Sequence, residues 1–366
     1  MSVQIIPWII IIIAITFTIV AAKLSADSFT RLKQRDTMEK PPSPAQKSQY
    51  QVGVVINPSK NNYEEARAFL IEACIDANWP TPKFWETTAD DPGTSQTQAA
   101  INAGCDLVIA CGGDGTVRKC AEQLLHTGIP MGIVPIGTGN LFARNLKLEV
   151  TKPRVAVHDA LFGDEQVIDA GHVRLDNGKK GVWLVMTGMG DDANVIAKTR
   201  PELKKYFSWL AYIEAAMRTL AGSRRDKVEI TIDDEKTIEK DVRSILGGNC
   251  GVLPGGIDFN PESVIDDGNL EIVILSPKSI AGWFGIGTRI LLQRPRNEKV
   301  FEVIQAKKLK IHTDKPLEAQ VDGDHVGEVK AMELEIDPAS LIVKVTAAHT
   351  TDLLLYKQHL SDGLLF

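Results

Sequence analysis

The chain has 366 residues, 44% of them hydrophobic and 24% charged, with a formal net charge of −6. That length and balance suit an ordinary globular body of about two domains and leave nucleic acid unfavoured as a partner. Five cysteines (Cys74, Cys105, Cys111, Cys120, Cys250) show no CxxC spacing and read as reduced, buried thiols in a cytosolic body.

The N-terminus stands apart. Residues 5–22, IIPWIIIIIAITFTIVAA, carry no charge over 18 residues, long enough to span hydrocarbon, with Trp8 near one interface. A cleaved signal peptide is the rival reading, but it normally has a basic leading region, and no Lys or Arg precedes the run. Lys23, Arg31, Lys33, Arg35, Lys40 and Lys47 follow it instead. The expectation is therefore an uncleaved transmembrane anchor over 1–23 and a flexible basic Pro/Ser linker over 24–49. The body then lies on the cytoplasmic side of the cell membrane as a single-pass protein.

From residue 50 the pattern alternates. YQVGVVINP (50–58) is a β-branched first strand, and 62–77 has helical spacing, with Ala66, Phe69, Leu70, Ala73 and Cys74 on one face. Strands follow at 81–88, 105–111 and 130–137, with helices at 93–104 and 116–128 that each close on glycine. Such alternation predicts an open, largely parallel α/β sheet over 50–164. Ligands sit at the carboxyl ends of strands in such sheets. Asn57-Pro58, Thr87-Thr88, Gly112 to Thr116 and Gly137 to Asn140 all fall there. Alone, GGDGT is adequate turn chemistry. At a shared strand edge, with a helix following, it reads as a phosphate cradle built from backbone N–H groups and a helix N-terminus. From 165 to 345 the chain is mostly short strands, with helical exceptions at 201–220 and 279–292, which predicts a β-rich second domain and a site in the cleft between the two. The last segment, 346–366, is expected to pack back on the first domain.

GGDGT followed by GIVPIGTGNLFARNL (132–146) resembles the diacylglycerol kinase catalytic domain family, which includes bacterial soluble lipid kinases and sphingosine kinase relatives. VVINP, LKKYFSWLAY (203–212), GGNCGVLPGGIDFNPESVIDDGNLEIVIL (247–275) and QVDGD (320–324) support it over roughly residues 50–345. The resemblance implies a phosphofructokinase-like α/β domain and a carboxyl-terminal β-sandwich. It further implies transfer of the ATP γ-phosphoryl group to a lipid hydroxyl with Mg²⁺, diacylglycerol being the default acceptor. Gly112, Gly113, Gly115, Thr116, Gly137, Thr138, Gly139 and Asn140 are then nucleotide-binding, with Asn57 and Thr88 on the nucleotide side. Asp114 positions metal or the reacting hydroxyl. Asp324 matches the acid of the family's Asp-Gly-Glu motif and is assigned as general base, with Asp322 as the competitor. Asp267 matches a metal-linked aspartate, and Lys204 a position that contacts phosphate.

Bland alternatives stand beside these. VDGD is a good type I′ hairpin turn, and Asp-Asp-Gly at 266–268 is a strong turn signal. Lys204 sits on an amphipathic segment that equally suits membrane docking or core packing. Arg118 and Lys119 depart from the family's usual Asn-Glu after GGDGT, and Arg118 either contacts phosphate or faces solvent. Lys60 comes early, without the family's glycine. His312 and His325 lack zinc spacing. Two other functions compete: an NAD kinase, which shares GGDGT, and a membrane-tethered nucleotide sensor without turnover. A homodimer is compatible with the sequence.

Overall fold

The computed structural model describes residues 50–190, 225–253, 257–258, 263–277 and 301–347. The anchor and linker, the segments around Lys204 and 279–292, and the tail beyond 347 lie outside the described residues.

The first part of the body is a parallel sheet of short strands, of which three are almost fully apolar and the edge strand is half charged. These are β1 (Val52–Ile56), β2 (Lys83–Glu86), β3 (Leu107–Gly112) and β4 (Met131–Pro135), in the order β2-β1-β3-β4. Five helices accompany them: α1 (Tyr63–Asp76), α2 (Thr94–Asn102), α3 (Asp114–Leu124), α4 (Leu141–Asn145) and α5 (Pro153–Phe162). Strand alternation decides which helix meets which residue. Val52, Val54 and Ile56 pack with Ala66, Leu70 and Cys74 of α1 and Ala156, Val157 and Ala160 of α5. Val55 turns the other way, into a cluster with Ala100 of α2 and Val117, Cys120, Ala121 and Leu124 of α3. Burial on both faces explains why β1, β3 and β4 read as continuous hydrophobic runs, whereas β2, at the edge, does not.

The second part is antiparallel. Strands β5 (Asp164–Leu175), β6 (Lys180–Trp183), β7 (Met186–Gly190), β8 (Asp226–Ile232), β9 (Lys236–Val242) and β10 (Ser244–Gly248) come first. A small pair, β11 (Val252–Leu253) and β12 (Ile257–Asp258), separates them from β13 (Leu270–Leu275), β14 (Phe301–Ala306), β15 (Lys308–Val321) and β16 (Asp324–Val345). Their inward residues form one core, with Trp183, Ile245, Ile272, Leu309 and Leu334 all essentially sealed from solvent.

Two differences from the sequence reading matter. Residues 153–162 form a helix the periodicity did not reveal, begun by a proline in its first turn. The short strands expected within 165–345, among them KKLKIHT (307–313), LEAQVDGD (317–324) and AMELEIDP (331–338), are here two long strands, β15 of 14 residues and β16 of 22. Bulges at His312/Leu317 and Asp337/Leu341 had disguised their continuity. The length of β16 has a consequence. It pairs antiparallel with β15 and β5, then runs on to pair in parallel with β4 at Val343–Met131. The α/β part and the β-rich part therefore share a single 14-stranded sheet. Side chains reinforce the seam. His126, just past α3, and His172 on β5 both approach Oδ2 of Asp337, at 2.8 and 3.0 Å, and the His126 amide donates to the Ser340 carbonyl.

Candidate active site

β3 ends at Gly112, and α3 begins two residues later at Asp114, so GGDGT is both strand exit and first helical turn. The glycines are needed for close approach. A Cβ on Gly112 would lie 2.6 Å from the Thr116 Cβ, and one on Gly137 would lie 2.5 Å from the Gly113 Cα. The two loops are thus backbone against backbone, and Gly137 N and Ile136 N both donate to the Gly112 carbonyl. Gly113 itself has an ordinary extended conformation (φ −100°, ψ −173°), so no left-handed backbone underlies the cradle there. Thr116, expected on the nucleotide side, is buried beneath Gly112. Thr138 and Gly139 are exposed at the rim.

Asp114 joins the loops. Its Oδ1 accepts from Leu141 N at 2.6 Å and Phe142 N at 3.3 Å, the first amides of α4. Those amides have no partner inside the helix. The residue that would ordinarily cap them, Asn140, is left-handed (φ 48°) and makes no side-chain cap. Asp114 therefore caps the neighbouring loop's helix through Oδ1. Burial raises its carboxyl above the ordinary range, while the amides of Phe142, Leu141 and Asn140 pull against that rise. Asn140 donates from Nδ2 to the Gly137 carbonyl at 2.9 Å, and its buried Oδ1 has no partner among the described residues.

Asn57 and Thr88 stand at neighbouring strand exits with their side chains in local turns. Asn57 Oδ1 accepts from the Ser59 amide and hydroxyl, and Thr88 Oγ1 from the Asp91 amide. Lys204 lies outside the described residues.

The 321–324 turn links β15 to β16 through Asp322 (φ 47°) and Gly323 (φ 83°), positive at both central residues as a two-residue hairpin requires. The hairpin reading of VDGD is correct, and the turn separates its two acids. Asp322 points inward. Its two oxygens accept from the amides of Leu184, Val185 and Met186 at 2.9–3.0 Å, locking the β6–β7 crossover. That commitment withdraws it as the competing base. Asp324 points outward, 60% exposed, and pairs with Arg118 of α3 at 2.6 Å. Arg118 also donates to the Val321 carbonyl at 2.8 Å. The solvent-facing reading of Arg118 is thereby overturned, since it is the bridge from the cradle helix to this turn. Lys119, its neighbour, pairs with Glu122 on its own helix.

Asp267 lies in the exposed turn before β13, with Oδ1 accepting from Asn269 N at 2.9 Å. A buried acid there, Asp169, is one the motifs did not single out. Asp169 on β5 accepts from Gly268 N at 2.6 Å and Ala339 N at 2.7 Å, tying that turn to β16. Among the described residues no three His, Cys, Asp or Glu side chains gather as metal ligands. A cavity of about 390 Å³ opens away from these groups, over β5, β8 and β15, with Arg174, Glu229 and Lys310 in its walls.

Two glycine loops meet at a helix N-terminus, on an α/β sheet continued into a β-rich part whose 321–324 turn reaches back to that helix. Residues 51–173 match the family model "Diacylglycerol kinase catalytic domain", and 184–345 match "YegS C-terminal NAD kinase beta sandwich-like domain". Similar proteins include the diacylglycerol kinase of Bacillus subtilis, 25% identical over 75% of this chain and 89% of that one. The diacylglycerol kinase of Mycobacterium tuberculosis is 27% identical over 67% and 78%. A crystal structure from Bacillus anthracis strain Sterne has the same fold, with a TM-score of 0.67 at 22% identity over 84% of this chain and 99% of that one. The chain belongs to the diacylglycerol kinase catalytic domain family and is an ATP-dependent kinase acting on a lipid.

Proposed function

We propose that the protein is a membrane-anchored diacylglycerol kinase. The nucleotide phosphates lie against the Gly112–Gly115 and Gly137–Asn140 loops, and Asp324 takes the proton from the acceptor hydroxyl. One observation carries the reading: Arg118 holds the Asp324 carboxylate against the helix that begins at the phosphate cradle, at 2.6 Å. Phosphoryl transfer asks for positioning and charge neutralisation more than covalent help. Backbone amides of the two loops and the N-terminus of α3 supply fixed donors at no reorganisation cost. Asp114 keeps α4, and with it the second loop, in register with the first. A general base has to reach the hydroxyl directly or through one water, and Asp324 is the exposed acid of its turn.

Magnesium is tested by the donors available. Asp114 keeps Oδ2 clear of its bonds to α4, and Asp267 spends one oxygen on its own turn. A lone carboxylate oxygen beside a phosphate cradle fits Mg²⁺ bound mainly through phosphate and water. It does not make an all-protein metal cage. When bound with the nucleotide, the ion supplies charge neutralisation at the phosphates, and Asp114 is the residue that would hold it.

The reading extends to the N-terminus. Residues 5–22 anchor the chain in the cell membrane, with the body on the cytoplasmic side. The uncharged run and its basic following flank support that orientation. The homologues named as kinases of diacylglycerol support the choice of acceptor.

The test is incubation of the purified protein with γ-labelled ATP, Mg²⁺ and either dispersed diacylglycerol, total lipid extract or NAD⁺. Label in phosphorylated diacylglycerol is the expected result. Label in another lipid changes the acceptor, label in the dinucleotide overturns the lipid reading, and ATP binding without any product supports the sensor. Fractionation of cells with and without residues 5–22 checks the anchor, and equal membrane recovery would remove it.

A further inference from the structure

We infer that Arg118 is a positioning residue for the reaction: it aims the Asp324 carboxylate at the phosphate cradle. The inference rests on the reading of Asp324 as general base.

Arg118 is the fifth residue of α3, whose first residues form the cradle. A helical arginine usually keeps its charged head in water, yet this side chain is only 14% exposed. A guanidinium so withdrawn needs its donors matched. The two described acceptors both come from one turn, 203 and 206 positions away in sequence: the Val321 carbonyl and Asp324 Oδ2. The planar fork therefore grips the turn at its first and last residues and gives an otherwise exposed carboxylate a defined direction. Lys119 offers no such tie, because it is engaged with Glu122.

A partly exposed ion pair contributes little to stability. If Arg118 were merely structural, its loss would show, if anywhere, in thermal stability. If it aims the base, the loss appears in turnover. The full-length protein in detergent, with γ-labelled ATP and dispersed total lipid extract, is assayed as the parent, Arg118→Met, Arg118→Lys, Asp324→Asn and the Arg118→Met/Asp324→Asn double variant. We expect Arg118→Met to lower kcat by about 10–100-fold, with KM for ATP within about threefold, since misplacing a reacting group costs on that order. Arg118→Lys should fall between, keeping the charge but not the fork. The double variant should be within about twofold of Asp324→Asn alone, because aiming an absent base gains nothing. Unchanged kcat in Arg118→Met, or losses that multiply in the double variant, would overturn the inference while leaving the kinase reading intact. Near-normal turnover in Asp324→Asn would instead overturn the assignment of the base, and the inference with it. Should Arg118→Met fail to fold, Arg118→Lys combined with Asp324→Asn decides by the same comparison.

Discussion

A single carboxylate at position 114 holds two loops that are 27 residues apart in sequence. Replacing it with a neutral amide weakens a charge-assisted cap on α4. Asp114→Asn should cost about 1–2 kcal/mol in denaturant unfolding, the usual worth of a cap, and should weaken ATP binding in calorimetry. An unchanged midpoint and affinity would contradict the capping role. Glu271, on β13, illustrates a different residue-scale effect. It is 1% exposed, Oε1 has no described partner, and burial pushes its carboxyl up to about 7, with Asp267 adding to the rise and the Ser263 hydroxyl opposing it. A pKa higher in the folded than in the unfolded chain gives a contribution fully present below the ordinary glutamate range and lost as pH rises to about 7. Raising the pH from 4.5 to 8 should therefore remove on the order of 1–3 kcal/mol at this group. Glu271→Gln should flatten that part of the stability profile, and an unaltered profile would refute the assignment.

Among the elements, the strand exits matter most. Gly137 and Gly113 touch through their backbones, so the cradle has no room for a Cβ at 137, whereas one at 113 meets ordinary van der Waals contact at 3.5 Å. Gly137→Ala should force the loops apart, destabilise the body by about 1–3 kcal/mol as overpacking does, and weaken ATP binding at least tenfold. Gly113→Ala should leave the fold within about 0.5 kcal/mol. Equal unfolding midpoints for the two variants would contradict the geometry. The β15–β16 turn shows the same economy. One hairpin turns Asp322 inward under the β6–β7 crossover and exposes Asp324 to α3, because both central residues of the turn, Asp322 and Gly323, have positive φ.

At the scale of the molecule, β16 belongs to both halves of the body, pairing with β5 and β15 and then with β4. The described residues from 50 to 347 accordingly form one compact unit. A shared strand, with the His126–Asp337 and His126–Ser340 contacts beside it, couples the unfolding of the two halves. A chain starting at Tyr50 should therefore melt in one calorimetric transition, with calorimetric and van't Hoff enthalpies in agreement. Two resolved transitions would show that the halves are energetically separate. The arrangement also joins the glycine loops to the Asp324 turn, since the loops hang from β3 and β4 while Asp324 opens the strand that ends beside β4.

The alternation of apolar strands and helices from 50 to 137 was readable directly, because burial on both sheet faces forces continuous apolar runs and each helix carries a 3.6-residue stripe. So were the glycine loops at strand exits and the hairpin at 321–324, since turn chemistry is local. The long strands were not readable, because a bulge interrupts the two-residue period that would have announced them. Nor were the functions of the acids. Asp114, Asp322 and Asp324 are each an aspartate beside a glycine in sequence. Only tertiary structure gives the first a helix to cap, the second three amides to accept from and the third an arginine partner. Arg118 makes the point most sharply. On a helix read alone it belongs in solvent, and the acceptors that draw it inward lie more than 200 residues away, where no local pattern can register them.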